Sequence, residues 1–159
     1  MAGLLIADTW RIQRFDVVKY MKGTQERGMV LRSTDEIQQT LEDQMMNLSS
    51  MMSSRFVAPF LELTQKWERL MSTVSEVIEV WFKVQAKWMY LEAIFVGSAD
   101  IRVQLPEDSK KFDAVNAEFQ SLMKEAPDTL NVVDACNYEG RLERIEAMLA
   151  VLESCEKSL

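Results

Sequence analysis

Two adjacent carboxylate pairs, Glu42-Asp43 and Glu107-Asp108, are the first candidates for acid–base chemistry in this chain. Such chemistry needs two groups whose environments push their pKa values apart. Both pairs fall on the polar faces of helical patterns, so their spacing predicts a solvated surface. Cys136 and Cys155 are the two cysteines, and there is no histidine. That removes the usual zinc ligand sets and both Ser-His-Asp and Cys-His catalysis within the chain. Without an activating neighbour, each thiol is expected to be buried and structural. No Gly-x-x-x-x-Gly-Lys-Ser/Thr or Gly-x-Gly-x-x-Gly loop occurs to cradle phosphates. No catalytic, cofactor-binding or metal-ligating residue is therefore assigned, and the chain reads as a non-enzyme.

The elements explain why. Trp67, Val74, Trp81, Trp88 and Phe95 follow a strict seven-residue spacing. Two helical turns take about 7.2 residues, so these side chains share one stripe of one helix. The pattern runs unbroken over about 57–96, with Pro59 suited to a first helical turn and Gly97 expected to end it as a left-handed cap. Aromatic residues at repeated positions are too bulky for a two-stranded zipper, so this helix is expected to pack against several neighbours.

Around it, 33–159 reads as a helical bundle. Ser33-Thr-Asp-Glu36 matches a capping box opening a helix with Ile37, Leu41, Met45, Leu48 and Met52 inward. Ser98 to Leu105 reads as a short helical turn. Pro106 opens a helix burying Phe112, Val115, Phe119, Leu122 and Met123, which Ala126-Pro-Asp128 stops. Leu130 to Cys136 is a short helix, and Asn137 is expected to cap a last one, from Tyr138 to Leu159, with no stop signal. The remainder, 1–32, is irregular apart from a possible small β-hairpin: Trp10 to Tyr20 out, Met21 to Gly28 as the turn, Met29 to Arg32 back. The fold class is mainly α, an elongated bundle or rod.

Of 159 residues 48% are hydrophobic, with only 5 glycines and 3 prolines, which favours a real core and few, long elements over a β-sandwich. The net charge of −7 disfavours contact with nucleic acid. Two cysteines suit a reducing interior, and no apolar run approaches the ~20 residues of a membrane span.

Trp81-x-x-Val-Gln-x-x-Trp-x-Tyr-Leu-Glu-x-Ile-Phe95, then Gly97-Ser-Ala-Asp-Ile101 and Gln104-Leu-Pro-Glu107, resembles the linker region of dynein heavy chains. Thr34-Asp-Glu-Ile37, Met51-Met-Ser-Ser-Arg-Phe-Val57, Phe119-Gln-Ser-Leu-Met123 and Leu152 to Leu159 are similar to the same region, so the resemblance covers most of the chain. Its details are nearer to axonemal, outer-arm-type heavy chains than to cytoplasmic ones.

The resemblance implies that 1–159 is a single fragment, the N-terminal part of a linker. That linker arches over a ring of AAA+ modules and swings with nucleotide state, producing the power stroke of microtubule-based movement. ATP and magnesium then belong to the parent motor and not to this chain. The implied partners are the rest of the heavy chain and other dynein subunits, with microtubules touched only indirectly and neither nucleic acid nor membrane. The implied place is the cytoskeleton of the cytoplasm, in the axoneme of a cilium or flagellum. Phe82, Met89, Tyr90 and Ile94, off the main stripe, are candidate contacts with the ring or remaining linker. Gly97-Ser98 is the candidate hinge, with Ala126-Pro-Asp128 or a point beyond Leu159 as alternatives. The competing reading is a helical scaffold of spectrin-like type that docks other subunits, although no internal repeat is visible.

Overall fold

The computed structural model describes residues 2–159, with side chains from Ile6 onward. Its elements run α1 (Ala2–Arg11), β1 (Val17–Lys22), β2 (Gln25–Leu31), α2 (Asp35–Met52), α3 (Leu61–Phe95), α4 (Ala99–Gln104), α5 (Pro106–Glu125), α6 (Val132–Cys136) and α7 (Arg141–Lys157). Short 3-10 turns at Ala58–Phe60 and Ala126–Asp128 carry Pro59 and Pro127, and α3 starts just beyond the first of them.

α3 has 35 residues and is about 52 Å long. It packs on α2, α5, α6 and α7, and more lightly on α1, α4 and β2. Val74, Trp81, Trp88 and Phe95 are wholly buried, whereas Trp67 is half-buried. Before Met71, α3 buries only Thr64.

The N-terminal reading needs correction. Trp10 lies on a helix, not a strand, and is buried with Ile6 one turn away. The hairpin turn is two residues, Gly23-Thr24, so β2 takes up most of the stretch expected to be loop. Tyr20 pairs with Gly28 and Met21 with Glu26, which leaves Arg27 as an extra residue in a β-bulge. A lone hairpin is marginal in water. This one is held by tertiary contacts, and the segment before it is stitched to the start of α6. The Phe15 N–H donates to the Leu130 carbonyl at 2.8 Å, and the Val132 N–H to the Gln13 carbonyl at 3.0 Å. Asn131 donates to the Trp10 carbonyl at 2.9 Å and also accepts from the Asp134 N–H to cap α6.

Helix ends differ from the sequence reading in physical detail. The cap of α2 is Thr34, one residue later than the Ser33 expected, and no side chain bonds the helix N–H groups there. Thr34 Oγ instead accepts from the Gln38 side chain at 3.1 Å. Met45 is exposed, because the inward face of α2 is carried by Ile37, Leu41 and Leu48. Gly97 is not left-handed. It is needed for space, since a Cβ there would lie 2.5 Å from the Ala93 carbonyl oxygen. The left-handed glycine is Gly140, φ 78°, at the start of α7. Asn137 closes α6, its side chain donating to the Val133 carbonyl at 2.9 Å, so α7 begins four residues after it. On α5 the expected inward residues Phe112, Val115, Phe119, Leu122 and Met123 are all buried. On α7, Ile145, Leu152 and Cys155 are buried with Met148, while Leu142 and Leu149 are half-buried.

Gly28 shows how tightly the hairpin sits. Its φ is 147°, and a Cβ would come 3.1 Å from the Trp88 ring. Gly23, φ 65°, has open space around it. Both substitutions carry backbone strain of about 1–3 kcal/mol, and only Gly28 adds a clash. Gly28→Ala is therefore expected to lower the melting temperature clearly more than Gly23→Ala. Equal losses in a thermal melt would show that Trp88 yields at no cost.

Candidate functional site

The aromatic stripe of α3 fastens other parts of the chain at every second turn. Trp81 packs on Phe15, ring centroids 5.6 Å apart, and lies under the Arg141 guanidinium at 5.3 Å. Arg141 is itself buried; it donates to the Ala135 carbonyl at 3.0 Å and covers Tyr138 at 4.8 Å. Trp88 stacks on Phe119 at 4.6 Å and meets Tyr20 edge-on at 5.5 Å. Its indole N–H donates to Asn116 Oδ1 at 2.8 Å. Phe95 stacks on Phe112 at 5.1 Å. Offset and edge-on ring pairs add about 0.5–1.5 kcal/mol each beyond area burial, and they fix relative orientation.

Beside this stripe runs a second one, Met71, Ile78, Gln85 and Glu92, again spaced by seven and all buried. Its last two members are polar and hold the hairpin. Gln85 Oε1 accepts from the Leu31 N–H at 2.7 Å while Gln85 Nε2 donates to the Leu31 carbonyl at 2.9 Å. One side-chain amide thus does the work of a neighbouring strand. Two turns on, Glu92 accepts from Arg27 Nε in a pair that is nearly closed to solvent. The bulge accounts for Arg27's place, since an extra strand residue re-aims its side chain. Glu92 Oε2 is buried and has no hydrogen-bond partner among the described residues. Sequence reasoning missed this clamp. The available signal was a glutamine and a glutamate at heptad spacing inside an otherwise apolar face.

The remaining corners are braced by charge. Arg102 donates to the Phe95 carbonyl at 2.7 Å and to both Asp113 carboxylate oxygens, at 3.0 and 2.6 Å. Hydrogen bonding by Arg102 holds the Asp113 carboxyl below its ordinary pKa and raises that of Arg102 in return. Arg144 joins α7 to Glu118 and Glu125 of α5, and Lys87 joins α3 to Glu156. Burial pushes the Cys136 thiol up to about 12, partly offset by Arg141. Burial also raises the pKa of Cys155, with Asp108 adding to it.

Of the four outward candidates on α3, Tyr90 is 56% exposed, while Phe82, Met89 and Ile94 are half-buried. Phe82 and Met89 pack against the core from outside. Gly97 is exposed at the end of α3, and Ser98 caps α4 by accepting from the Ile101 N–H at 3.4 Å. Glu42, Asp43 and Glu107 are exposed and Asp108 is half-buried. No helix among the described residues is long and apolar enough to cross a membrane.

These features define a structural module built on one long helix, whose specific interactions are internal braces. Residues 5–159 match the family described as Dynein heavy chain, N-terminal region 2. The chain is 51% identical over 154 residues to the Dynein-1-alpha heavy chain of the flagellar inner arm I1 complex of Chlamydomonas reinhardtii. It is 50% identical over 154 residues to human Dynein axonemal heavy chain 10. It is 52% identical over 134 residues to the Dynein beta chain of the Chlamydomonas flagellar outer arm. These alignments cover 97%, 97% and 82% of this chain but 3% of each relative. The chain belongs to the dynein heavy chain family, as part of its N-terminal region. Inner-arm and outer-arm chains match about equally well.

Two outcomes test the clamp. Removing one partner of a buried ion pair costs about 3–5 kcal/mol, whereas replacing both with apolar residues is often near neutral. Arg27→Met and Glu92→Leu alone are each expected to be strongly destabilising in urea titrations, and the double variant to recover most of the loss. Additive losses would mean that the two side chains do not act as a pair.

Cys136 gives a pH signature. Its thiol keeps its proton in the folded chain up to about 12 and loses it near the ordinary value of 9.0 when unfolded. Stability from this group is therefore complete below pH 9 and declines as pH rises from 9 towards 12. Cys136→Ala is expected to flatten that alkaline decline. An unchanged slope would assign it to other groups.

Proposed function

We propose that this chain is a non-catalytic mechanical element, part of the linker that arches over the AAA+ ring of a dynein and swings with nucleotide state. The observation that carries the reading is the unbroken α3, cross-braced at Trp81, Trp88 and Phe95 by elements from both ends of the chain. A lever must move as one piece, and close-packed interiors transmit strain with little compression. ATP and magnesium act in the ring of the parent heavy chain. Microtubules are touched by this segment only indirectly. The names of the axonemal, flagellar and ciliary relatives support a place in the axoneme.

Tyr90, with Phe82, Met89 and Ile94 around it, is the proposed contact of α3 with the ring or the remaining linker. Gly97-Ser98 is the proposed bending point, where Arg102 ties the end of α3 to α5. Flexure there requires that tie to loosen.

The test is to soften the lever without touching its core. Glu76 and Glu79 lie on the exposed side of α3. Glycine costs about 1 kcal/mol per site in a helix interior and adds backbone freedom. In the intact motor, the paired change Glu76→Gly and Glu79→Gly is expected to reduce microtubule gliding velocity several-fold while ATP turnover stays within about twofold. Unchanged velocity would remove the lever reading.

A further inference from the structure

The clamp that holds the hairpin leaves one acceptor unused. Glu92 is 3% exposed, and its Oε1 takes the Arg27 guanidinium. Its Oε2 is closed to water as well and has no hydrogen-bond partner among the described residues. Buried polar atoms are nearly always paired, and an unpaired carboxylate oxygen leaves its desolvation uncompensated. Glu92 also lines an open cavity of about 440 Å³. The other walls are Gln25 to Gly28 of β2, Val96 just after α3, and Asn116 and Gln120 of α5. One water takes up about 30 Å³ in the liquid, so the space exceeds a single bridging water and suits the end of a side chain.

The hydrogen bonds already made around this cavity decide what it can take. Asn116 Oδ1 accepts from the Trp88 indole at 2.8 Å and from Gln120 Nε2 at 3.2 Å. Gln120 has thus spent a donor and keeps its carbonyl oxygen. Arg27 donates to Gln25 Oε1 at 2.8 Å and to Glu92 Oε1, so the guanidinium is engaged on both sides without reaching Glu92 Oε2. Glu26, exposed at the rim, has Lys19 Nζ no nearer than 3.8 Å, too long for a hydrogen bond. Two carboxylates face one guanidinium in the lining, which leaves it net negative. The chemistry that fits is a cationic donor. A guanidinium fork matches paired oxygens, and Glu92 offers one; an ammonium is a compact point charge with three donors.

We propose that this cavity receives a lysine side chain of a partner polypeptide, whose ammonium donates to Glu92 Oε2, to the Gln120 carbonyl oxygen and to Glu26. Entry requires the exposed side chains of Gln25 and Glu26 at the rim to part. The walls come from β2, α3 and α5 together, so a lysine seated there is fastened to the braced body and not to one element. Desolvation strengthens such a charge-assisted contact relative to one on the open surface. The curated relatives are far longer than this segment, which spans 3% of their length, so other protein lies around it in the motor. The inference needs that surrounding protein, not that this part swings.

The experiment treats the intact motor, its heavy chain carrying Lys19→Arg, with a carbodiimide, which joins a carboxylate to a touching lysine amine without a spacer. Lys19→Arg keeps the charge beside Glu26 and removes the amine that would compete within the hairpin. Cross-linked peptides are mapped with ATP, with ADP and without nucleotide. The expected result is a link from Glu26 to a lysine outside residues 1–159 in at least one of these states. Its yield is expected to fall at least fivefold when Gln120→Leu removes the inner acceptor. Gln120 is half-buried and takes no part in the Arg27–Glu92 pair, so this change leaves the clamp in place. No link from Glu26 beyond the chain in any state would overturn the proposal. An unchanged yield with Gln120→Leu would do so too, because it puts the lysine on the surface and not in the cavity. Gliding velocity reports separately on the lever reading, so the two ideas fail independently.

Discussion

Trp81, Trp88 and Phe95 leave water along one side of a single helix, and most of the remaining structure is the means of covering them. Each large ring removes roughly 150–250 Å² from solvent, worth about 4–6 kcal/mol at ~25 cal/mol per Å² as an upper estimate. No single neighbour spans the three. The hairpin, α5, α6, α7 and the N-terminal segment each supply part of the lid, so each is stable only while the stripe is in place. This dependence explains why a two-stranded hairpin, marginal by itself, persists here. It also explains why β2 needs a glycine against Trp88, where a Cβ would stand 3.1 Å from the ring.

Polar groups decide the register in which the lid closes. An apolar stripe alone would accept a hairpin slid along it. The Gln85 amide accepts and donates at one residue, Leu31, and Glu92 takes the guanidinium of the bulged Arg27. A one-residue slip would break both and leave buried groups without partners, at about 1–3 kcal/mol each. The same division of labour recurs at the end of α3. There Phe95 and Phe112 supply the burial, while Arg102, bonded to the Phe95 carbonyl and Asp113, fixes the angle.

Helical periodicity made α3, α5 and most of α2 legible from residues alone, because a buried face repeats with the helix itself. Termini were less legible. Gly97 follows one helix and Gly140 precedes another, and only the backbone shows that the first is required by space and the second by a left-handed φ. Trp10 was misread because β-branched and aromatic residues are shared by strands and buried helices, and a ten-residue helix offers few turns to separate them. The clamp was hidden for a different reason. Gln85 and Glu92 look like breaks in an apolar face until Leu31 and Arg27 are brought opposite them, and that contact spans more than fifty residues of sequence.

The central claim is that the covered half of α3 and the elements on it form one mechanical unit, from which the α2–α3 tip is separable. Native-state hydrogen exchange at increasing denaturant measures this directly, because it resolves which amides open together. The account expects the amides of 74–95 and the hairpin amides, including Leu31, to converge on a single opening free energy equal to that of global unfolding. Amides of 61–70 are expected to exchange through a smaller, earlier opening. A hairpin that opens on its own while α3 remains protected would contradict the account.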